Sequence, residues 1–249
     1  MKTLYRNWVV LLSCLLGMVA CSEEEVTLTK TGQVKFDLNV QDIESIITRS
    51  DDINVDDFIV TIKGDNYQKE KSYAELKGEG TLELPAGIAY TFEAVSSATD
   101  PDFISQTPFY KGSKEETILG GEIVAVNLAC AMTQVGLSID LSALSSLSNL
   151  AVSIRKGSTG TLYPMTVKVN QKTEIYYVEP SDDLQLVIAG KTSEGYELGT
   201  LGIKSLAAEG VDSSAANTLW SLKITIDNSG VRSSISERIG LKIESSSIN

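Results

Sequence analysis

Apolar residues recur at every second position in many short runs along this chain. Residues 33–40 alternate cleanly, with Val34, Phe36, Leu38 and Val40 on one side and Gln33, Lys35, Asp37 and Asn39 on the other. That period is the signature of a half-buried strand. The same pattern predicts strands at 58–62, 82–84, 90–94, 123–132, 135–139, 152–154, 166–169, 175–178, 184–188, 222–226 and 239–243. Turn-forming residues punctuate them, as at 63–66, at Gly120-Gly121 and at 227–230. Many short strands with turns between them predict an all-β chain built as sandwiches or barrels. One stretch differs. Leu141, Leu144, Leu147 and Leu150 are spaced by three with serines between them, which predicts one short helix or 3-10 segment near 141–149. Residues 205–217, rich in Ala and Ser, read as a long loop.

Where one run ends and the next begins sets the domain expectation. The apolar strand at 123–132 looks like the closing strand of a first unit, and another alternating strand starts almost at once. A boundary at 132–134 gives units at 32–132 and 133–249, each of ordinary domain size.

The first 20 residues belong to neither unit. Lys2 and Arg6 form a cationic start, and residues 8–20 are apolar apart from Ser13. This is shorter than the roughly 20 residues a helix needs to cross a bilayer. It has the layout of a secretory signal. The segment runs through Met18, Val19 and Ala20 into Cys21, the arrangement of a lipobox, with Met18 where Leu is usual. The expectation is cleavage between Ala20 and Cys21, acylation of Cys21, and an acidic tether over 21–31 that opens with Ser22, Glu23, Glu24 and Glu25. Several acyl chains on one residue anchor firmly, whereas a single chain is marginal. The partner implied is the outer-membrane lipid.

Charge then narrows the other partners. The chain carries 21 basic and 33 acidic residues, a net charge of −12. The signal holds two basic and no acidic residues, so the mature chain reaches −14. Such a surface repels phosphate backbones, which argues against nucleic acid.

The residue types present also narrow the chemistry. There is no histidine, so Ser-His-Asp and Cys-His nucleophile systems cannot be built and a catalytic zinc site loses its usual ligands. Of the three cysteines, Cys14 leaves with the signal, Cys21 is used by the lipid, and Cys130 lies on the apolar side of an alternating run. Carboxylate chemistry of the glycosidase kind or a Ser-Lys pair remains open, but no spacing selects a pair. No catalytic residue, cofactor or metal site is therefore expected. Asp52-Ile53-Asn54-Val55-Asp56-Asp57 imitates the start of a calcium loop, yet Asp57 and Lys63 stand where Gly and Glu are needed.

Several pieces occur in a telling order: Thr48-Arg49, then Asp51, Asp52, Asp56 and Asp57, then Phe58, Val60 and Ile62. Leu84-Pro85-Ala86-Gly87-Ile88-Ala89-Tyr90 follows, then Pro108-Phe109-Tyr110-Lys111-Gly112, which reads as two aromatics at a strand end before a turn, then Val126, Leu128 and Cys130. With the lipobox, this order resembles an uncharacterised lipoprotein family of gut Bacteroidetes related to the fimbrillin-like group of major and minor fimbrial subunits. The acidic run after Cys21 resembles their surface-export tag.

The resemblance implies two tandem transthyretin-like, Greek-key β-sandwich domains on a cell-surface outer-membrane lipoprotein. It implies a non-enzymatic structural or adhesive subunit whose partners are other fimbrial subunits. It also implies a cut after an arginine, with Arg49 the matching position, followed by addition of a strand from a neighbouring subunit. The rival expectation is a glycan-binding surface lipoprotein serving polysaccharide uptake. Such sites expose aromatic platforms, and here Trp220 is the one tryptophan outside the signal.

Overall fold

A computed structural model describes residues 31–41, 53–145, 147–167, 174–192, 197–227 and 240–248. Ala20, Cys21 and Arg49, the tether up to Lys30, and the expected turn beyond Asp227 lie outside those residues.

The first half forms β1 (Thr31–Gln41), β2 (Ile59–Gly64), β3 (Tyr67–Ser72), α1 (Tyr73–Glu79), β4 (Leu82–Pro85), β5 (Ile88–Val95), β6 (Ile104–Ser105), β7 (Tyr110–Ile118) and β8 (Ile123–Met132). Seven of these strands share one sheet in the order β3-β2-β5-β7-β8-β1-β4. The sheet folds over on itself, and its register shows where. β7 meets β8 only at Tyr110↔Met132 and Lys111↔Ala131. Beyond those two pairs β7 follows β5 as far as Ile118, while β8 follows β1.

At this corner Gly112 is required: a Cβ there would lie 2.5 Å from the Ala129 carbonyl oxygen and 2.9 Å from Cys130 Sγ. The two layers close over one core in which Val34, Val60, Ile62, Leu84, Phe92, Ala94 and Ile118 are wholly buried. Phe36 of β1 meets Phe92 of β5 edge to face across the layers, with centroids 5.5 Å apart.

The second half forms β9 (Val135–Asp140), β10 (Leu147–Lys156), β11 (Tyr163–Met165), β12 (Ile175–Val178), β13 (Leu184–Thr192), β14 (Glu197–Ser205), β15 (Thr218–Asp227) and β16 (Gly240–Ile248). A four-stranded sheet, β11-β10-β13-β14, faces a five-stranded one, β16-β15-β9-β12-β6. Their shared core holds Val135, Leu137, Ile139, Ile154, Leu186, Ile188, Leu222 and Ile224. β6 comes from the first half of the sequence but pairs with β12, and Phe103 beside it stacks on Tyr163 at 4.6 Å.

The halves meet at Gln134, which is 2% exposed. Its Oε1 accepts from the Phe109 N–H at 2.9 Å, and its carbonyl accepts from the Asn217 N–H at 3.0 Å.

The two halves share a closure rule. In each, the first strand lies beside a late strand in parallel, β1 on β8 and β9 on β15. Each first strand has an antiparallel partner on its other side, β4 and β12 respectively.

Several sequence expectations need correcting. The expected 3-10 segment is present between β9 and β10, but it spans only Ser142–Leu144 and not 141–149, because Leu147 and Leu150 enter β10. Among the described residues the α-helix is α1, at 73–79, where Ser72 and Glu75 form a capping box. Of the strand expected at 166–169, residues 166 and 167 lie outside any strand and 168–169 lie outside the described residues; the neighbouring strand is Tyr163–Met165, where Tyr163 stacks on Phe103. Tyr110 opens β7, and Gly112 lies within it. Gly120-Gly121 does turn the chain, but the strands on either side pair only at their far ends.

Candidate functional site

The first strand and its seat bring the most specific geometry together. β1 points Gly32, Val34, Phe36, Leu38 and Val40 inward, and Gln33, Lys35, Asp37, Asn39 and Gln41 are exposed. On one side it pairs with β8 in parallel over nine positions, from Gln33↔Ile123 to Gln41↔Ala131. On the other it pairs with β4 over four, Thr31 to Val34. An antiparallel continuation of β4 would run beside the rest of β1, and that stretch of chain is α1 instead.

The helix has clear local causes. The Ser72 hydroxyl accepts from the Glu75 N–H at 3.2 Å, and the Glu75 carboxylate accepts from the Ser72 N–H at 2.9 Å. The Ser72 N–H and hydroxyl together hold the Glu75 carboxyl below its ordinary value. Lys77 reaches Asp56 at 3.2 Å, tying α1 to the 3-10 turn Val55–Asp57, which Asn54 caps. The calcium-like sequence therefore works as a capped turn with an ion pair. No group of three metal-ligating side chains exists among the described residues.

α1 also closes the free edge of β1. The buried Leu38 N–H donates to the Tyr73 hydroxyl at 3.3 Å, so one backbone donor that β4 does not reach still finds a partner. At the other end of β1 the chain is tightly fitted. The Gln33 N–H donates to the Glu122 carbonyl at 2.8 Å, and the Gly121 N–H to the Thr31 carbonyl at 3.0 Å. Between them, a Cβ on Gly32 would lie 2.3 Å from the Leu119 carbonyl oxygen and 2.7 Å from Ile118 Cγ2. The sequence pattern marked this strand but gave no hint that residue 32 must be glycine. The Ser72-x-x-Glu75 spacing was the available signal for α1.

Cys130 lies on the same core, paired in register with Val40 and fully buried. Burial pushes its thiol from an ordinary 9.0 up to about 11. Because the folded value is raised, the protonated thiol's contribution to stability is complete below 9.0 and is lost as pH rises through about 11. A maleimide at neutral pH is expected to leave Cys130 unlabelled in the folded protein and to label it in urea, read by intact mass.

A shallow pocket of about 310 Å³ lies between Asp182 and the loop through Asp212, Ser213 and Ser214. No aromatic side chain lines it. Every described aromatic residue is buried or half-buried. Trp220 packs against the second core, its indole N–H buried without a described acceptor. No described helix is long and apolar enough to cross a membrane.

Comparison with known proteins assigns the chain to a family. The model described as domain of unknown function DUF4493 matches residues 30–248, and the chain belongs to that family. A search of the curated proteins found no match.

Among solved structures, the chain is similar to a candidate adhesin from Bacteroides thetaiotaomicron, with a TM-score of 0.49 and 11% identity over 90% of this chain and 100% of that one. It is similar to a candidate cell adhesion protein from Bacteroides uniformis, with a TM-score of 0.46 and 14% identity over 78% and 91%. A fimbrial assembly protein from Parabacteroides distasonis gives a TM-score of 0.45 and 8% identity over 86% and 98%.

Proposed function

We propose that this chain is an outer-membrane lipoprotein facing the cell exterior, acylated on Cys21, and that it serves as a non-enzymatic, fimbrillin-like structural or adhesive subunit. In this reading two tandem domains, 32–132 and 133–249, follow the tether at 21–31. One observation carries the proposal. β1 lies wholly before Arg49, while both strands that flank it, β8 and β4, come after Arg49.

The energetic consequence follows from connectivity. While the chain is intact, β1 is tethered to its seat at a high effective concentration. A cut after Arg49 leaves every contact of β1 in place but removes that tether. A strand from a neighbouring subunit then competes on equal terms. It gains main-chain hydrogen bonds along β8 and fills the pockets under Val34 and Leu38.

The glycan-binding alternative calls for exposed stacking platforms, and the burial of the described aromatics weighs against it. A glycan array with clear hits would reverse that preference.

The test has two parts. Mass spectrometry of the native protein is expected to find an acylated Cys21 at the N-terminus; an unmodified or different N-terminus contradicts the anchor. In native cells the wild-type chain is expected in SDS-resistant high-mass species, and Arg49→Gln is expected to remain monomeric. Monomer in both cases removes the assembly half.

A further inference from the structure

We infer that the strand which replaces β1 is supplied by a different chain and not by a second copy of this one, and that it carries glycine followed by large apolar residues at alternate positions. This rests on the strand-replacement reading above. The seat has five inward positions, occupied by Gly32, Val34, Phe36, Leu38 and Val40.

The first position admits no side chain. The atom a Cβ would strike is the Leu119 carbonyl oxygen, at 2.3 Å. This is backbone, and the loop that carries it is pinned by the Gly87 N–H bonding the Ile118 carbonyl and by the Gln33 and Gly121 bonds. The next four positions demand apolar bulk. Val34 is 0% and Leu38 8% exposed, Phe36 sits edge-on to Phe92, and Val40 packs on the same core. The order is directional, because β1 runs parallel to β8 and the glycine must lie at the end beside the Ile118 to Ile123 turn.

Glycine followed by large apolar residues at the second, fourth, sixth and eighth positions after it occurs once in the sequence, at 32–40. That is the segment the cut removes. β16, an edge strand of its sheet, is the natural strand for a second copy to donate, and it does not fit. With Gly240 in the glycine position, Lys242, Glu244 and Ser246 fall in apolar pockets, where unpaired charge is strongly disfavoured. With Leu241 and Ile243 in the Val34 and Phe36 positions, Ile239 meets the Leu119 carbonyl, and Ser245 and Ser247 take the last two.

The experiment uses the full mature chain cut after Arg49 and fluorescent synthetic peptides, read by anisotropy. The peptide of residues 31–41 is expected to exchange into the cut protein. Replacing its five exposed residues, Gln33, Lys35, Asp37, Asn39 and Gln41, with Thr is expected to leave binding comparable. Its Gly32→Ala version is expected to bind about tenfold weaker or worse. The peptide of residues 240–248 is expected not to compete, and cut protein alone is expected to stay monomeric. Equal binding by the Gly32→Ala peptide, competition by 240–248, or self-association of the cut chain overturns the inference while leaving strand replacement standing. Failure of the 31–41 peptide to enter at all overturns strand replacement itself, and the inference with it.

Discussion

Phe92→Ala is expected to destabilise the first sandwich by about 3–5 kcal/mol. The ring is 0% exposed, pairs in register with Ile62 and Lys114, and touches Phe36 at 5.5 Å and Tyr90 at 6.0 Å. Truncation removes the transfer energy of the ring. It also leaves a cavity that paired strands on both sides of β5 prevent from collapsing. The loss has a second consequence, because Phe36 belongs to β1 and its edge-to-face partner disappears. The variant should therefore lose β1 faster once the chain is cut. Urea unfolding measures the first effect, and the release rate of labelled β1 from cut protein measures the second. A stability loss under about 1 kcal/mol would contradict the packing described.

Leu137→Ala should act with similar force on the other core, at about 2–5 kcal/mol. Leu137 is 0% exposed and sits on β9, flanked by β15 through Trp220 and by β12 through Tyr176, so the sheet cannot close around a smaller side chain. The pair of variants also tests the proposed division at 132–133. If the halves unfold as separate domains, Phe92→Ala shifts one transition and Leu137→Ala the other. If Gln134, Phe109 and Asn217 couple them into one cooperative unit, both variants shift a single transition.

Much of the fold was legible because most strands bury one face only. Residues 33–40, 90–94 and 126–132 carry their larger apolar residues at every second position, and the structure places each in a strand with those residues inward. The strand β7 was hidden for a physical reason. Its inward positions are filled by Tyr110, Gly112, Lys114, Glu116 and Ile118, and Lys114 and Glu116 satisfy each other at 2.9 Å on the same face. No hydrophobic period can report such a strand.

β3 is hidden in the same way, since Tyr67, Lys69 and Lys71 are its half-buried side. Leu141 and Leu144 did mark a 3-10 segment, but Leu147 and Leu150 misled because spacing by three fits a helix locally, whereas pairing of Leu147 with Thr192 on β13 decides the outcome. That is tertiary pairing overriding a local signal.

The candidate site divides along the same line. The alternating strand before Arg49 could be read from sequence. The need for glycine at 32 comes from the Leu119 carbonyl and the Tyr73 bond to Leu38 from a helix 35 residues away, neither of which is a local property.

Native mass spectrometry of the mature protein cut after Arg49 alone tests the central claim most directly. The account predicts a body starting at Ser50 that keeps its fold and retains the fragment ending at Arg49 without a covalent bond. It further predicts that excess peptide of residues 31–41 displaces that fragment one for one. A body that unfolds on cutting, or a fragment that excess peptide never displaces, would contradict it.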